Sequence, residues 1–161
     1  MLKKLKTTTF KVVDKKEINL DNTFLLKLDS LKNIKFNSGD LLNISPKEDN
    51  FIRQYSIAKI EKNLLLSIKK HDHGICSTFL SGLKIGDSLS ANFKTNLNFH
   101  FPKKAHSIIL ISNGTGIAPF LGMINENKSQ IPLYLFWGGR TKESLKLYKK
   151  YIDCLLYTSP S

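Results

Sequence analysis

Short apolar stretches separated by polar turns occupy the first hundred residues. Several combine β-branched, aromatic or leucine side chains and are predicted as strands: residues 8–15, 23–28, Leu41–Ser45, Tyr55–Ile60 and Leu64–Lys69. A short helix is predicted over Ser77–Leu83, and the turn at 85–88 leads into a further strand. Closely spaced short strands with polar turns predict a small antiparallel barrel.

The pattern changes near residue 105. Ser107–Ser112 is a continuous apolar run, as expected for a parallel strand that is buried on both faces. A glycine turn, a helix, a second buried strand at Leu133–Trp137 and a helix over Lys142–Tyr151 follow. This strand–helix–strand–helix order predicts the opening of a doubly wound α/β domain.

These patterns divide the chain into two predicted domains, 1–104 and 105–153. A doubly wound sheet usually has about five strands, and the second region supplies two. We therefore expect an incomplete α/β domain whose strands leave apolar side chains less buried than their character favours: Leu110, Ile111, Leu135 and Phe136. We also expect the chain to aggregate through this region.

Composition adds a strong positive charge. The 161 residues include 25 Lys or Arg and 13 Asp or Glu, for a net charge of +12. The lysines are scattered, as on an ordinary solvated surface; the alternative is a surface that steers an acidic partner or a polyphosphate cofactor. Arg53 and Arg140 are the only arginines, which suggests positions that need a bidentate fork.

Several classes of protein are excluded. No apolar run approaches the roughly 20 residues of a membrane span, and threonines at positions 7–9 argue against a signal peptide. Two cysteines, Cys76 and Cys154, are too few for a disulfide framework or a zinc cage, so no metal site is expected. Basic residues are not clustered with aromatic ones, so no nucleic-acid partner is expected. A cytoplasmic location follows as the expectation.

A first motif with candidate chemistry is Arg53-Gln54-Tyr55-Ser56. Alternation along a strand puts Arg53 and Tyr55 on one face and turns Ser56 away from it. An arginine fork suits phosphate, a tyrosine ring offers a stacking surface, and a serine hydroxyl can donate to a ring nitrogen. For this string alone, an ordinary strand with a core tyrosine and a surface arginine is the alternative.

Two further motifs precede helices. Gly74–Ser77 begins the short helix, where N–H groups and the helix dipole favour an anion, although a plain N-cap has the same pattern. Gly114–Gly116 follows the buried strand and leads through Pro119 into a helix. This turn faces the carboxyl edge of the sheet, where ligands usually bind. A tight turn without a ligand is the alternative.

The order of these motifs resembles the ferredoxin–NADP reductase superfamily. A barrel with R-x-Y-S, a helix with G-x-x-S and a buried strand with G-T-G-I-A-P-F follow one another over roughly residues 8–151. Three further strings, Ser38-Gly39-Asp40, Asn98-x-x-x-Pro102 and Phe136-x-Gly138-Gly139-Arg140, resemble the reductase half of diflavin enzymes, the sulfite reductase flavoprotein and cytochrome P450 reductase group. The resemblance implies a six-stranded antiparallel FAD-binding barrel followed by an incomplete doubly wound NADP-binding domain.

The resemblance also implies roles for individual residues. Arg53 would bind the FAD pyrophosphate, Tyr55 would stack on the isoalloxazine, and Ser56 would lie near flavin N5 as the catalytic residue. The FAD phosphates would be held by Gly74, Ile75, Cys76 and Ser77. The nicotinamide nucleotide would be contacted by Gly114, Thr115, Gly116 and, on its phosphates, Arg140. Either His71 or His73 would pack against the FAD adenine.

The chain departs from the family pattern in three respects. Only a few residues separate Pro46 from Arg53, where diflavin reductases usually insert a large helical domain. No FMN domain precedes the barrel in this sequence. The segment that usually selects NADP and the aromatic residue that covers the flavin do not follow Tyr151, so a C-terminal truncation is expected. Residues 154–161 are expected to be a non-native tail.

The expected function is that of an FAD-dependent NAD(P)H oxidoreductase. Hydride would pass from NADPH, with NADH left open, to FAD, and electrons would pass on to an FMN domain, a flavodoxin or another redox protein. Alternatives are a plain flavodoxin or ferredoxin reductase and a non-catalytic fragment that binds FAD. A basic barrel for single-stranded nucleic acid is a third, and it leaves the G-T-G-I-A-P run unexplained.

Overall fold

The computed structural model describes residues 7–18, 21–46 and 51–156, with side chains to Asp153. Its strands are β1 (Thr8–Ile18), β2 (Thr23–Ser30), β3 (Leu41–Ile44), β4 (Arg53–Ser56), β5 (Ala58–Ile60), β6 (Asn63–Lys69), β7 (Ser88–Lys94), β8 (Ile108–Asn113) and β9 (Leu133–Gly138). Its helices are α1 (Ile75–Gly82), α2 (Ala118–Glu126), α3 (Lys142–Leu145) and α4 (Lys149–Leu156). Of the expected tail, residues 157–161 lie outside the described ranges.

The first seven strands form an antiparallel sheet in the order β4-β3-β7-β1-β2-β6-β5. Its two edge strands, β4 and β5, are consecutive in the chain and separated only by Ile57, so the chain itself joins the two edges. Ile57 donates to the Asp40 carbonyl at 3.0 Å and accepts from the Gly39 N–H at 2.9 Å. The prediction of one strand over Tyr55–Ile60 was therefore wrong in its bounds. The predicted barrel is confirmed, with β4 and β5 as two parts of its sixth strand.

β2 and β6 are apolar on both faces because both faces are covered. Leu26 lies opposite Leu66 in the antiparallel register, and both are fully buried in the barrel core. Leu25 and Leu65 are also buried, in a second cluster to which the α/β half contributes Tyr148. The outer face of the barrel is thus an interior surface wherever the second half packs on it.

β8 and β9 pair in parallel, and α2 covers one face of this pair. Leu110 faces α2 and is only 5% exposed, so the prediction that it would be under-buried was wrong. Leu135 is half-buried. Ile111 and Phe136 point away from α2 and are 73% and 61% exposed, which confirms the prediction for these two.

The predicted helix over Lys142–Tyr151 is two helices, α3 and α4. Leu147 and Tyr148 lie between the two helices and pack inward onto the barrel. A continuous solvent-facing helix would not allow this packing. Ser144 in α3 donates to the Asp21 carboxylate at 2.7 Å and so ties α3 to the turn between β1 and β2. Helix α1 begins at Ile75, two residues before its predicted start.

The uncovered face of the β8–β9 pair gives a first prediction. Replacing Ile111 and Phe136 by threonine keeps strand propensity but removes exposed apolar surface. We expect the double variant to bind about half as much of an apolar dye and to stay monomeric at higher concentration in light scattering. Leu110→Thr, on the buried face, is the control and should lower stability instead. Unchanged dye binding in the double variant would contradict the expectation.

Asp40 joins the turn before β3 to the segment that leads out of the barrel. Its buried carboxylate accepts hydrogen bonds from the backbone N–H groups of Asn37 and Asn96, each at 2.9 Å, and lies 2.7 Å from Nε2 of His100. Burial alone would raise the pKa of Asp40, but these hydrogen bonds outweigh it and hold the pKa below its ordinary value. The ionised carboxylate therefore stabilises the fold.

The lowered pKa of Asp40 predicts acid sensitivity with a definite sign. The stabilisation is complete above the unfolded pKa of about 3.9 and is lost as the pH falls through the lower folded value. Between about pH 5 and about pH 3, the parent should lose more free energy of unfolding than Asp40→Asn, which has no carboxylate to protonate. Denaturant titrations of both proteins at the two pH values measure the difference. Parallel losses would show that other carboxyl groups dominate.

Candidate functional site

One open cavity of about 400 Å³ brings together residues from all three sequence motifs. The motif residues on its lining are Arg53, Gln54, Tyr55, Gly74, Ile75, Cys76, Ser77 and Thr115. They come from β4, from the start of α1 and from the turn after β8. These segments are far apart in the chain, and the barrel and the α/β half meet around the cavity. The remaining predicted site residues, Ser56, Gly114, Gly116 and Arg140, do not line it.

β4 supplies the first wall. Arg53 is exposed, and its guanidinium lies 5.6 Å from the centre of the Phe51 ring. Tyr55 is half-buried, and its ring packs against the barrel core. Burial raises the pKa of Tyr55 above its ordinary value, and a hydrogen bond with Cys76 raises it further. The phenol is therefore neutral and fixed, as a stacking surface requires, while Ser56 is exposed on the same strand without lining the cavity.

The start of α1 supplies the second wall. No side chain caps the helix at Gly74, and its first turn contains no acidic residue. The Ser77 hydroxyl instead accepts from the His71 N–H at 3.2 Å and donates to the Gly74 carbonyl at 3.1 Å, which holds the turn tightly closed. A Cβ at position 74 would overlap the Ser77 oxygen. The positive end of the helix is thus presented to the cavity, as an anion site requires.

The turn after β8 supplies the third element. Thr115 is the residue of this turn that reaches the cavity, and Gly114 has a positive φ of 52°. The Gly114 carbonyl accepts a hydrogen bond from the Trp137 indole at 2.9 Å, so β9 fixes the turn. Gly116 and Arg140 are exposed at the same end of the parallel strands. The turn therefore lies between the barrel cavity and the carboxyl edge of the sheet.

Several lining residues were not predicted as phosphate-site residues. They lie at the end of β6 and in the loop before α1: Ser67, Ile68, Lys69, His71 and His73. A second open cavity, of about 950 Å³, adjoins the first and shares His73, Gly74 and Ile75 with it. The lining residues at the end of β6 and in the loop before α1 are close to Gly74 in the sequence. This closeness could have identified them, because a loop that leads into an anion-binding helix start lies beside the anion.

Within the described ranges, no group of three or more His, Cys, Asp or Glu side chains is placed to hold a metal ion. None of the helices in those ranges is long and apolar enough to cross a bilayer. The polar and aromatic groups on the cavity lining include one arginine, one lysine, two histidines, a helix start, a tyrosine ring and hydroxyl groups. This donor set fits a ligand with phosphates at one end and a flat ring at the other.

The fold and this cavity are those of an FAD-binding domain of the ferredoxin–NADP reductase type. Ferredoxin-NADP+ reductase from Plasmodium falciparum, solved with 2′P-AMP, superposes with a TM-score of 0.75 at 22% identity, over 95% of this chain and 70% of that one. The Amycolatopsis cytochrome P450 reductase GcoB superposes with a TM-score of 0.76 at 23% identity, over 92% and 49%. These likenesses confirm the predicted fold.

The chain belongs to the oxidoreductase FAD-binding domain family, whose model matches residues 9–109. Toluate 1,2-dioxygenase electron transfer component of Pseudomonas putida is 31% identical over 119 residues, which cover 70% of this chain and 35% of that protein. NADPH-dependent diflavin oxidoreductase 1 of Candida albicans is 36% identical over 87 residues, which cover 52% and 15%. The chain thus spans about a third of the first relative's length and less of the second's. FAD is the cofactor of its family.

Proposed function

We propose that this chain is the flavin-binding part of an oxidoreductase that passes hydride from NADPH to FAD and electrons onward to a redox protein. The observation that carries the proposal is the meeting of all three motifs around one cavity. An FMN domain, a flavodoxin or another small redox protein is the acceptor class. FAD, when bound, supplies a ring that accepts hydride and releases electrons singly.

The cavity lining supports a proposed place for each end of FAD. The pyrophosphate belongs between the Arg53 guanidinium and the N–H groups at the start of α1, because both favour anions. The isoalloxazine belongs against the neutral Tyr55 ring. The adenosine half belongs in the adjoining larger cavity, which Phe79 lines and which His73 shares with the first. His73 is thus favoured over His71 as the neighbour of the adenine.

Ser56 and the nucleotide turn supply the remaining roles. Ser56 is exposed next to Tyr55 on β4 but does not line the cavity, so its hydrogen bond to flavin N5 is proposed on the family resemblance. Gly114–Gly116 would pass along the nicotinamide nucleotide, and the exposed Arg140 would bind its phosphates. NADPH is proposed ahead of NADH because the Candida albicans relative, 36% identical, is an NADPH-dependent diflavin oxidoreductase.

A titration with FAD tests the proposal directly. The 161-residue chain should bind one FAD per chain, seen as a shifted flavin absorption band that co-elutes with the protein. In a version of the protein extended to the full length of a reductase, Ser56→Ala should retain FAD but slow its reduction by NADPH by about 10–100-fold, the effect of losing one hydrogen bond to the reacting ring. A parent chain that binds no FAD at micromolar concentration would overturn the assignment.

A non-catalytic FAD-binding fragment is the second candidate for the 161-residue chain. The exposed Ile111 and Phe136 favour it, since a complete nucleotide domain covers both faces of its sheet. In this case FAD binds and NADPH-dependent reduction of ferricyanide stays near background. Robust, saturable turnover would show that the two strands and Arg140 suffice.

A further inference from the structure

A buried polar contact attaches helix α2 of the α/β half to the barrel. The Ser38 hydroxyl donates to Oε1 of Glu126 at 2.6 Å and accepts from the Lys59 backbone N–H at 3.0 Å. The Ser38 N–H also points to Oε1 of Glu126, at 3.3 Å. Ser38 is fully buried. One hydroxyl thus links the turn before β3, strand β5 and the last residue of α2.

Because Gly122 has no side chain, helix α2 can approach Ser38 closely. A Cβ built on Gly122 would overlap the Ser38 oxygen and lie 2.7 Å from the Lys59 nitrogen and 3.0 Å from the Ala58 Cα. Helix α2 therefore lies directly on β5, one turn before Glu126 reaches Ser38. We name Ser38, Lys59, Gly122 and Glu126 together the α2 anchor.

The α2 anchor lies on the two elements that lead into the cavity. Helix α2 continues from the turn that carries Thr115, and β5 continues from β4, which carries Arg53 and Tyr55. A helix held along its length transmits its position to its first turn. The packing of α2 on β5 therefore contributes to the spacing between Thr115 and Tyr55, together with the Trp137 hydrogen bond that holds the turn.

We propose that Ser38, Gly122 and Glu126 are positioning residues that fix the spacing between the flavin-binding barrel and the nucleotide-binding turn. Because it refers to a flavin, this inference rests on the proposed function. The hydrogen bonds act on α2 and not on the cofactor. Loss of the α2 anchor should therefore leave FAD affinity unchanged within about threefold, because Arg53 and the start of α1 are untouched.

Hydrogen exchange measured on the 161-residue chain tests the anchor without a ligand. Glu126→Ala and Ser38→Ala should speed exchange of amides 114–126 by at least about tenfold, with β1 and β2 unchanged. Glu126→Gln should stay within about threefold of the parent, because an amide oxygen accepts the same bonds from Ser38. Gly122→Ala should act like Glu126→Ala. Gly82→Ala in α1, where a Cβ meets no atom within 4 Å, is the matched control.

Trp137 supplies a second readout, with FAD present. It is the only tryptophan in the chain, and its indole donates to Gly114 at the nucleotide turn. FAD in the cavity should quench Trp137 emission in the parent and in Glu126→Gln, and quench it less in Glu126→Ala at equal FAD occupancy.

Three outcomes overturn the inference: unchanged exchange in Glu126→Ala, equal acceleration of α2 and barrel amides, or equal quenching in Glu126→Ala and the parent. Failure of the parent to bind FAD would instead overturn the proposed function, and the exchange data would still decide the α2 anchor. The two failures are therefore distinguishable.

Discussion

Gly39→Ala should destabilise the chain by about 2–5 kcal/mol, a large part of the roughly 5–15 kcal/mol that stabilises a typical domain. Gly39 has a φ of +96°, where an L side chain costs about 1–2 kcal/mol. A Cβ there would also overlap the carbonyl oxygen of Phe99. The backbone at Phe99 is held in place by neighbours, because Asn96 and His100 both bond to Asp40. The clash therefore adds an overpacking cost of about 1–3 kcal/mol.

Gly86 provides a matched control for this prediction. Its φ is +97°, but a Cβ at Gly86 would meet no atom within 4 Å. Gly86→Ala should therefore cost only the conformational term, about 1–2 kcal/mol. Urea unfolding of the parent and both variants measures the two values. Equal losses in the two variants would show that the approach of Phe99 to Gly39 contributes nothing.

Arg53→Ala should weaken FAD binding by about 2–3 kcal/mol, or about 30–150-fold. Arg53 is the arginine on the cavity lining, and the start of α1 lines the same cavity. A bidentate, charge-assisted contact with a pyrophosphate is the strongest single interaction this lining offers. Fold stability should change little, because the side chain is exposed.

Two variants separate the possible causes of that loss. Arg53→Lys keeps the charge but not the planar fork, so it should recover only part of the affinity. Lys11→Ala removes one exposed positive charge on β1, away from the cavity lining, and should leave FAD affinity unchanged. Fluorescence titration with FAD measures all three variants. Full recovery in Arg53→Lys would mean that a point charge suffices and that no bidentate contact forms.

The sequence by itself determined the order and type of most elements. Short apolar stretches with polar turns marked the barrel strands, and the continuous apolar run at Ser107–Ser112 marked a parallel strand, because a strand covered on both sides has no polar face. The glycine-rich turn at Gly114–Gly116 and the Arg53–Ser56 motif could also be identified from the local sequence. Backbone geometry, helix dipoles and side-chain chemistry depend on the local sequence, so these motifs could be interpreted without knowledge of the fold.

Contacts between distant segments were decided only by the tertiary structure. Ile57 interrupts a predicted strand because its hydrogen bonds go to Gly39 and Asp40. The predicted helix over 142–151 breaks because Leu147 and Tyr148 are drawn onto the outer face of the barrel. Leu110 is buried while Ile111 is not, since α2 covers only one face of the pair. In each case burial against a distant element outweighed the local pattern.

The candidate site divides in the same way. Residue types and spacing identified the phosphate-binding and ring-stacking candidates, because each motif carries its own donors. That Arg53, Gly74 and Thr115 line one cavity depends on closure of the barrel and on the packing of α2 against β5. The contact of Ser38 with Glu126 spans 88 positions. No local pattern encodes such a pair, because its free energy comes from packing that exists only once both halves have folded.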